Sequence, residues 1–205
     1  MSQPSWGHNA ALLPRVEMPL PFPHELRTQR LLLKRWRRPD APLLKAAIDA
    51  NLAHLQRWMP WARDEPSPLE VIEARIERFE TEFDDGKEWL FAIRSRAGDV
   101  LGGTGLHPRI GPGGVEIGYW LQESATGQGF ATEAVEAMTR LALQQPEFER
   151  VEIRCDPRNA PSAAVPRRLG YRHTRTIENE TAPTGELRDT MVWEMTRANY
   201  SGNRE

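Results

Sequence analysis

Residues 115–155 constrain the fold of this 205-residue chain more than any other stretch. Residues 115–121 read as a strand. A helix follows from Gly127 to about Gln144, with Ala131, Ala134, Val135, Met138, Leu141 and Ala142 on one face. Beyond Pro146, residues 150–155 read as a second strand. A helical crossover makes the two strands it joins parallel. Residues 89–95 and 100–107 precede them, separated by short Gly-containing connections, the pattern of antiparallel hairpins. The sheet must therefore be mixed, antiparallel first, with one parallel junction in its middle.

The rest of the chain is read around that junction. Residues 28–36 contain a buried strand marked by Leu31, Leu32 and Leu33, ending in a basic cluster that reads as a solvated strand end. Asp40 then caps a helix through about Leu55. A second helix spans about 68–85, where Ile72, Ile76, Phe79 and Phe83 recur at i, i+4, i+7 and i+11, and Gly86 stops it. A short helix near 161–169 stops at Gly170. Two last strands, near 171–177 and 188–196, flank a turn at 183–185. The order is β-α-α-β-β-β-α-β-α-β-β, one α/β domain over residues 25–198. Residues 1–24, with five prolines, read as an extended arm, and 199–205 as a frayed tail.

Composition excludes several classes of function. Lys plus Arg number 27 against 29 Asp plus Glu, a net charge of −2, so there is no broad basic surface for nucleic acid. Apolar runs are only a few residues long, far short of the roughly 20 that cross a bilayer. The N-terminus lacks the basic patch and apolar stretch of a signal peptide. Cys155 is the one cysteine, which excludes an internal disulfide and a cysteine zinc cluster, and reads as a small buried filler. The five histidines show no metal spacing, and no metal is expected. A reducing, cytoplasmic location fits these features.

The chemistry is concentrated where the strand 115–121 meets the helix. Gly127-Gln128-Gly129 removes side chains at the helix opening, so backbone N–H groups can converge on one point. Free first-turn amides and the helix dipole favour a phosphate there. A loop that merely starts a helix is the plain alternative. A dinucleotide fingerprint G-x-G-x-x-G is another, weakened because Thr132 holds the third glycine position, although Asp156 at the end of the next strand stands where a ribose-binding acid would.

Glu116-Ile-Gly-Tyr-Trp-Leu121 followed by Gly127-Gln-Gly-Phe-Ala-Thr-Glu-Ala134, together with Asn159-Ala-Pro-Ser162 leading to Leu169-Gly170-Tyr171, resembles the signature motifs of the Gcn5-related N-acetyltransferases, and within them the RimJ/RimL-like ribosomal-protein N-terminal acetyltransferases. The resemblance spans about residues 26–197. It implies acetyl-CoA held in a splay between the two parallel strands. Leu121 would pair with the pantetheine. The amides of Gly127, Gln128, Gly129, Phe130, Ala131 and Thr132 would hold the pyrophosphate, and Asn159 and Ser162 would form a second contact. Two positions depart from the family: Thr126 stands where Gln or Arg usually opens the loop, and Pro166 where many members carry a tyrosine acid.

Acyl transfer to an amine needs a neutral nitrogen, a proton acceptor and a thiolate able to leave. Glu116, on the strand beside the expected thioester, is the first candidate base, with a solvated sheet-face glutamate as the plain alternative. Glu180 is the second, in the loop ahead of the last strand, where the resemblance places a catalytic glutamate. Ser162 is the candidate donor to the departing sulfur, or only a helix-start hydroxyl. Trp58 and Trp61, with Arg57 and Arg63 nearby, are either core or the wall of an acceptor groove. An α-amine, with a pKa near 8 against about 10.4 for lysine, is the easier nucleophile. The expected acceptor is therefore a peptide or protein N-terminus. A non-catalytic CoA- or peptide-binding module of the same fold and an acetyltransferase of small amines remain the alternatives, and a homodimer remains open.

Overall fold

A computed structural model describes residues 22–181 and 187–200. Eight strands form one mixed sheet in the order β1-β2-β3-β4-β5-β6-β8-β7. They are β1 (Glu25–Arg27), β2 (Leu31–Arg35), β3 (Trp89–Ser95), β4 (Val100–His107), β5 (Gly114–Leu121), β6 (Arg150–Cys155), β7 (Arg172–Thr181) and β8 (Leu187–Thr196). Helices α1 (Ala41–Asp49), α2 (Leu52–Trp58) and α3 (Leu69–Asp84) lie between β2 and β3. α4 (Phe130–Gln144) makes the crossover from β5 to β6, and α5 (Ala160–Arg168) leads to β7.

Among the described residues the one parallel pairing is β5 with β6, as the crossover requires, and it is short. It covers Gly114 with Arg150, Val115 with Val151 and Glu116 with Glu152. Beyond Glu116, β5 stays paired to β4 as far as Leu121, while β6 stays paired to β8 as far as Cys155. The two strands thus part in the middle of the sheet, the splay that the resemblance implied.

One sheet face packs Phe91, Ile93, Leu106, Ile117, Val151 and Ile153 against Val135, Met138 and Ala142 of α4. A second cluster sets Trp36 and Ala92 against Leu44, Ile48, Leu55, Ile72 and Ile76 from α1, α2 and α3. Ile72 and Ile76 are wholly buried, so the spacing read from the sequence does mark the inner face of α3. Burial of each such side chain is worth about 1.5–3 kcal/mol.

Three details differ from the sequence reading. The single helix expected over 40–55 is two, broken at Asn51 (φ −129°, ψ 20°). The Asn51 side chain donates to the Ala47 carbonyl at 2.8 Å and accepts from the Glu123 amide at 2.8 Å, so it competes for a helical carbonyl while tying the break to the loop after β5. Asp40 precedes α1 without capping it. Its carboxylate accepts from the Arg37 amide and pairs with Arg94 at 2.7 Å. Strand β1 forms a hairpin with β2, closed by Thr28 to Arg30, and was not expected. The arm meets the body at Phe22, which stacks on Trp89 with ring centroids 3.9 Å apart. Residues 1–21, the turn at 183–185 and residues 201–205 lie outside the described residues.

Candidate active site

The splay opens into a cavity of about 1650 Å³. Its floor is the face of β4 and β5 that carries Gly103, Gly105 and His107 opposite Trp120, Gly118 and Glu116. The cross-strand pair Gly105 and Gly118 leaves room for the His107 ring. A methyl built on either glycine would stand 3.2 Å from His107 Nε2.

At one end the cavity meets the start of α4. Gly127 (φ +74°) and Gly129 (φ +81°) are left-handed. Nothing lies within 4 Å of a Cβ built on Gly127, so conformation rather than crowding calls for glycine there. Among the described residues no side chain caps α4, which leaves the amides of Phe130, Ala131 and Thr132 without an intrahelical acceptor, at the positive end of the helix dipole. The loop is clamped from β1–β2. Thr28 donates to Glu133 at 2.6 Å, Arg30 pairs with Glu133 at 2.6 Å, and Arg30 also donates to the Gln128 carbonyl at 2.8 Å. Burial opposes the Glu133 charge, yet the bonds from Thr28 and Arg30 outweigh it and hold the carboxyl below the usual carboxylate range.

Across the splay, Asn159 caps α5 by accepting from the Ser162 amide at 3.2 Å. Pro166 lies inside α5 and lacks the N–H that would bond the Ser162 carbonyl four residues earlier. Tyr119 supplies the missing donor. Its hydroxyl donates to that carbonyl at 3.0 Å and also stands 3.0 Å from Ser162 Oγ. Helix α5 therefore runs through its proline undisrupted. Burial pushes the phenol of Tyr119 well above its ordinary range, and burial likewise raises the thiol of Cys155, which lines the cavity beside them.

Farther out, Glu116 is nearly buried. Arg109 donates to both of its carboxylate oxygens, at 3.0 and 2.7 Å, and Arg154 stands 3.8 Å away. His107 Nδ1 lies 3.0 Å from Glu88 Oε1. The hydrogen bond from His107 is the main reason the Glu88 carboxyl sits below its usual range. At the far end Trp61, 40% exposed, meets Trp120 edge-on with centroids 5.9 Å apart, and Arg57 lies over the ring of Trp58.

Most residues singled out in the sequence share this one cavity. Glu116, Leu121, Gly127, Gly129, Phe130, Ala131 and Thr132 line it, as do Asn159, Ser162, Trp58 and Trp61. Gln128 does not; its side chain turns away to donate to the Ser124 carbonyl. Glu180 is corrected in position. It lies within β7 opposite Arg188 rather than in a loop, because β7 extends past two bulges to Thr181. His107, Glu88 and Tyr119 were missed. Each owes its place to cross-strand register or to a contact distant in sequence.

A family model described as an acetyltransferase (GNAT) domain matches residues 30–172. The chain belongs to this family. Its members are N-acetyltransferases that take acetyl-CoA as co-substrate, and the uncapped glycine-led amides opening on the splay fit that molecule's phosphates and its pantetheine arm. The chain is 41% identical to the ribosomal-protein-serine acetyltransferase of Escherichia coli over 56 residues, 27% of this chain and 31% of that one. It is 28% identical to the uncharacterized N-acetyltransferase p20 of Bacillus licheniformis over 90 residues, 44% of this chain, and the match spans about half (51%) of p20. Among solved structures, RimL, a ribosomal L7/L12 α-N-protein acetyltransferase in complex with coenzyme A, superposes with a TM-score of 0.75 at 23% identity. That match covers 85% of this chain and 97% of RimL. Among the described residues of this GNAT domain no cluster of three or more His, Cys, Asp or Glu could hold a metal, and no helix is long and apolar enough to cross a membrane.

Proposed function

We propose that this GNAT domain acetylates the α-amine of a peptide or protein N-terminus by direct attack in a ternary complex. The observation that carries the reading is the single cavity joining the free amides of α4 to the tryptophan wall, with the splay between them. Bound there, acetyl-CoA supplies the acetyl group as a thioester. The amides from Gly127 to Thr132 hold its pyrophosphate, backbone groups near Leu121 pair with the pantetheine, and Asn159 and Ser162 line the opposite side. The Ser162 hydroxyl donates to the departing sulfur, a modest task because thiols ionise near pH 8.5. The acceptor's first residues lie between Trp58 and Trp61, large apolar surfaces beside a few polar groups. The proton of the attacking amine passes to an ionisable group of the floor, where Glu116 stands; Glu180, on β7, is the second candidate. The similarity to enzymes named for ribosomal-protein acetylation supports a protein terminus as acceptor. A cytoplasmic location suits a chain whose one cysteine is buried and reduced.

Two measurements test this. Acetyl-CoA raises the melting temperature by ligand linkage and NAD does not. Coupled thiol release then gives faster turnover with short peptides bearing a free N-terminus than with lysine side chains, aminoglycosides or free amino acids at equal concentration. A shift with NAD alone would remove the cofactor assignment, and faster turnover of any small amine would remove the acceptor assignment.

A further inference from the structure

We infer that His107 is the residue that takes the proton from the attacking amine, and that Glu88 is its positioning residue. The inference rests on the cavity being the acyl-transfer site. His107 ends β4 on the floor, directly opposite Glu116 and beside the point where β5 and β6 part. Its side chain is 15% exposed and lines the cavity. Glu88 Oε1 stands 3.0 Å from Nδ1, close enough to hold the ring by its inner edge, and Nε2 is the ring atom left to accept a proton. Nε2 is the atom lying over Gly105 and Gly118, with the Leu90 side chain of β3 also packed over Gly105.

The charged groups that line the cavity with the ring come from several elements, among them Glu88 ahead of β3, Arg78 from α3, Arg109 after β4, Glu116 from β5 and Arg154 from β6. Glu116 is the rival acceptor, but both of its oxygens already accept from Arg109, with Arg154 close by. Proton transfer to Glu116 would have to break that fork, whereas Nε2 needs no partner displaced. The step balances simply. The neutral amine nitrogen bonds to the thioester carbonyl carbon, the C–S bond breaks, the nitrogen's surplus proton moves to Nε2, and the thiolate takes one proton to leave as thiol.

The test compares His107→Gln, Glu88→Gln and Glu116→Gln with the unaltered enzyme, using the fastest peptide of the thiol-release panel from pH 5.5 to 9. If His107 is the acceptor, the acid limb of log(kcat/KM) has a slope of about two, because amine and imidazole must both be unprotonated. In His107→Gln the slope falls to about one and kcat drops roughly 100-fold, while the acetyl-CoA melting shift is unchanged. Glu88→Gln keeps the slope and lowers kcat several-fold with the peptide KM unchanged, since the ring is less firmly held. A purely structural role for Glu88 would lower the melting temperature without that loss confined to kcat. An acid limb unchanged in His107→Gln, or reduced to slope one by Glu116→Gln instead, overturns the assignment. Absence of an acetyl-CoA melting shift in the unaltered enzyme overturns the reading of the cavity, and the His107 role with it.

Discussion

Removing one hydroxyl, in Tyr119→Phe, probes how α5 tolerates its proline. That hydroxyl donates to the Ser162 carbonyl that Pro166 cannot serve. Without it a part-buried carbonyl loses its partner. A lost hydrogen bond costs about 0.5–1.5 kcal/mol net, and an unsatisfied buried acceptor about 1–3, so a loss near 2 kcal/mol is expected. At roughly 2–4 °C per kcal/mol for a domain of this size, the melting temperature falls by about 4–8 °C. Restoring the backbone donor with Pro166→Ala tests the cause. In that background the helix can bond the Ser162 carbonyl itself, and Tyr119→Phe should cost under about 1 kcal/mol. A double-mutant cycle by urea denaturation therefore gives a coupling of at least about 1 kcal/mol between Tyr119 and Pro166. Additive losses within about 0.5 kcal/mol would refute the account and leave the phenol a packing group. Ser162 should also lose its fixed orientation, so Tyr119→Phe is expected to lower kcat several-fold with little change in the acetyl-CoA KM.

Three further outcomes follow from the site. Gly129→Val forces a β-branched residue into a left-handed backbone with Arg30 Nη2 3.3 Å from its Cβ; it should cost stability and abolish the acetyl-CoA melting shift. Trp61→Ala should raise the peptide KM about tenfold, or about 1.4 kcal/mol, and leave acetyl-CoA affinity nearly intact in steady-state kinetics. The folded-state pKa of Glu133 is depressed, so its contribution is complete above the unfolded carboxylate range and is lost as pH falls through the folded value. Melting curves from pH 7 to 3 should then show Glu133→Gln less stable than the parent at neutral pH, with the gap closing as pH falls below the unfolded carboxylate range; a gap independent of pH would contradict the sign.

Features fixed by neighbouring residues were legible, and features fixed by distant ones were not. The crossover could be read because the strand, the glycines, the apolar face of α4 and the next strand follow one another, and chain connectivity then makes β5 and β6 parallel. The glycine loop was legible for the same reason. The break at Asn51 was not, because its side chain is held by Gln122 and Glu123, about seventy residues away, and nothing in the local pattern signals it. How α5 accommodates Pro166 was not legible either, since the hydroxyl that serves the Ser162 carbonyl sits on β5. His107 shows the limit most clearly. The sequence offers a histidine at a strand end, a glycine two residues before it and another in the strand that follows. Only the register that sets Gly105 against Gly118 and His107 against Glu116 turns them into an imidazole seated over a glycine pair. Register depends on the β4–β5 connection, where three glycines and two prolines between His107 and Val115 permit more than one alignment. A one-residue slip would carry the His107 side chain to the opposite face of β5, so the chemistry of this site is set by an alignment that no single strand encodes.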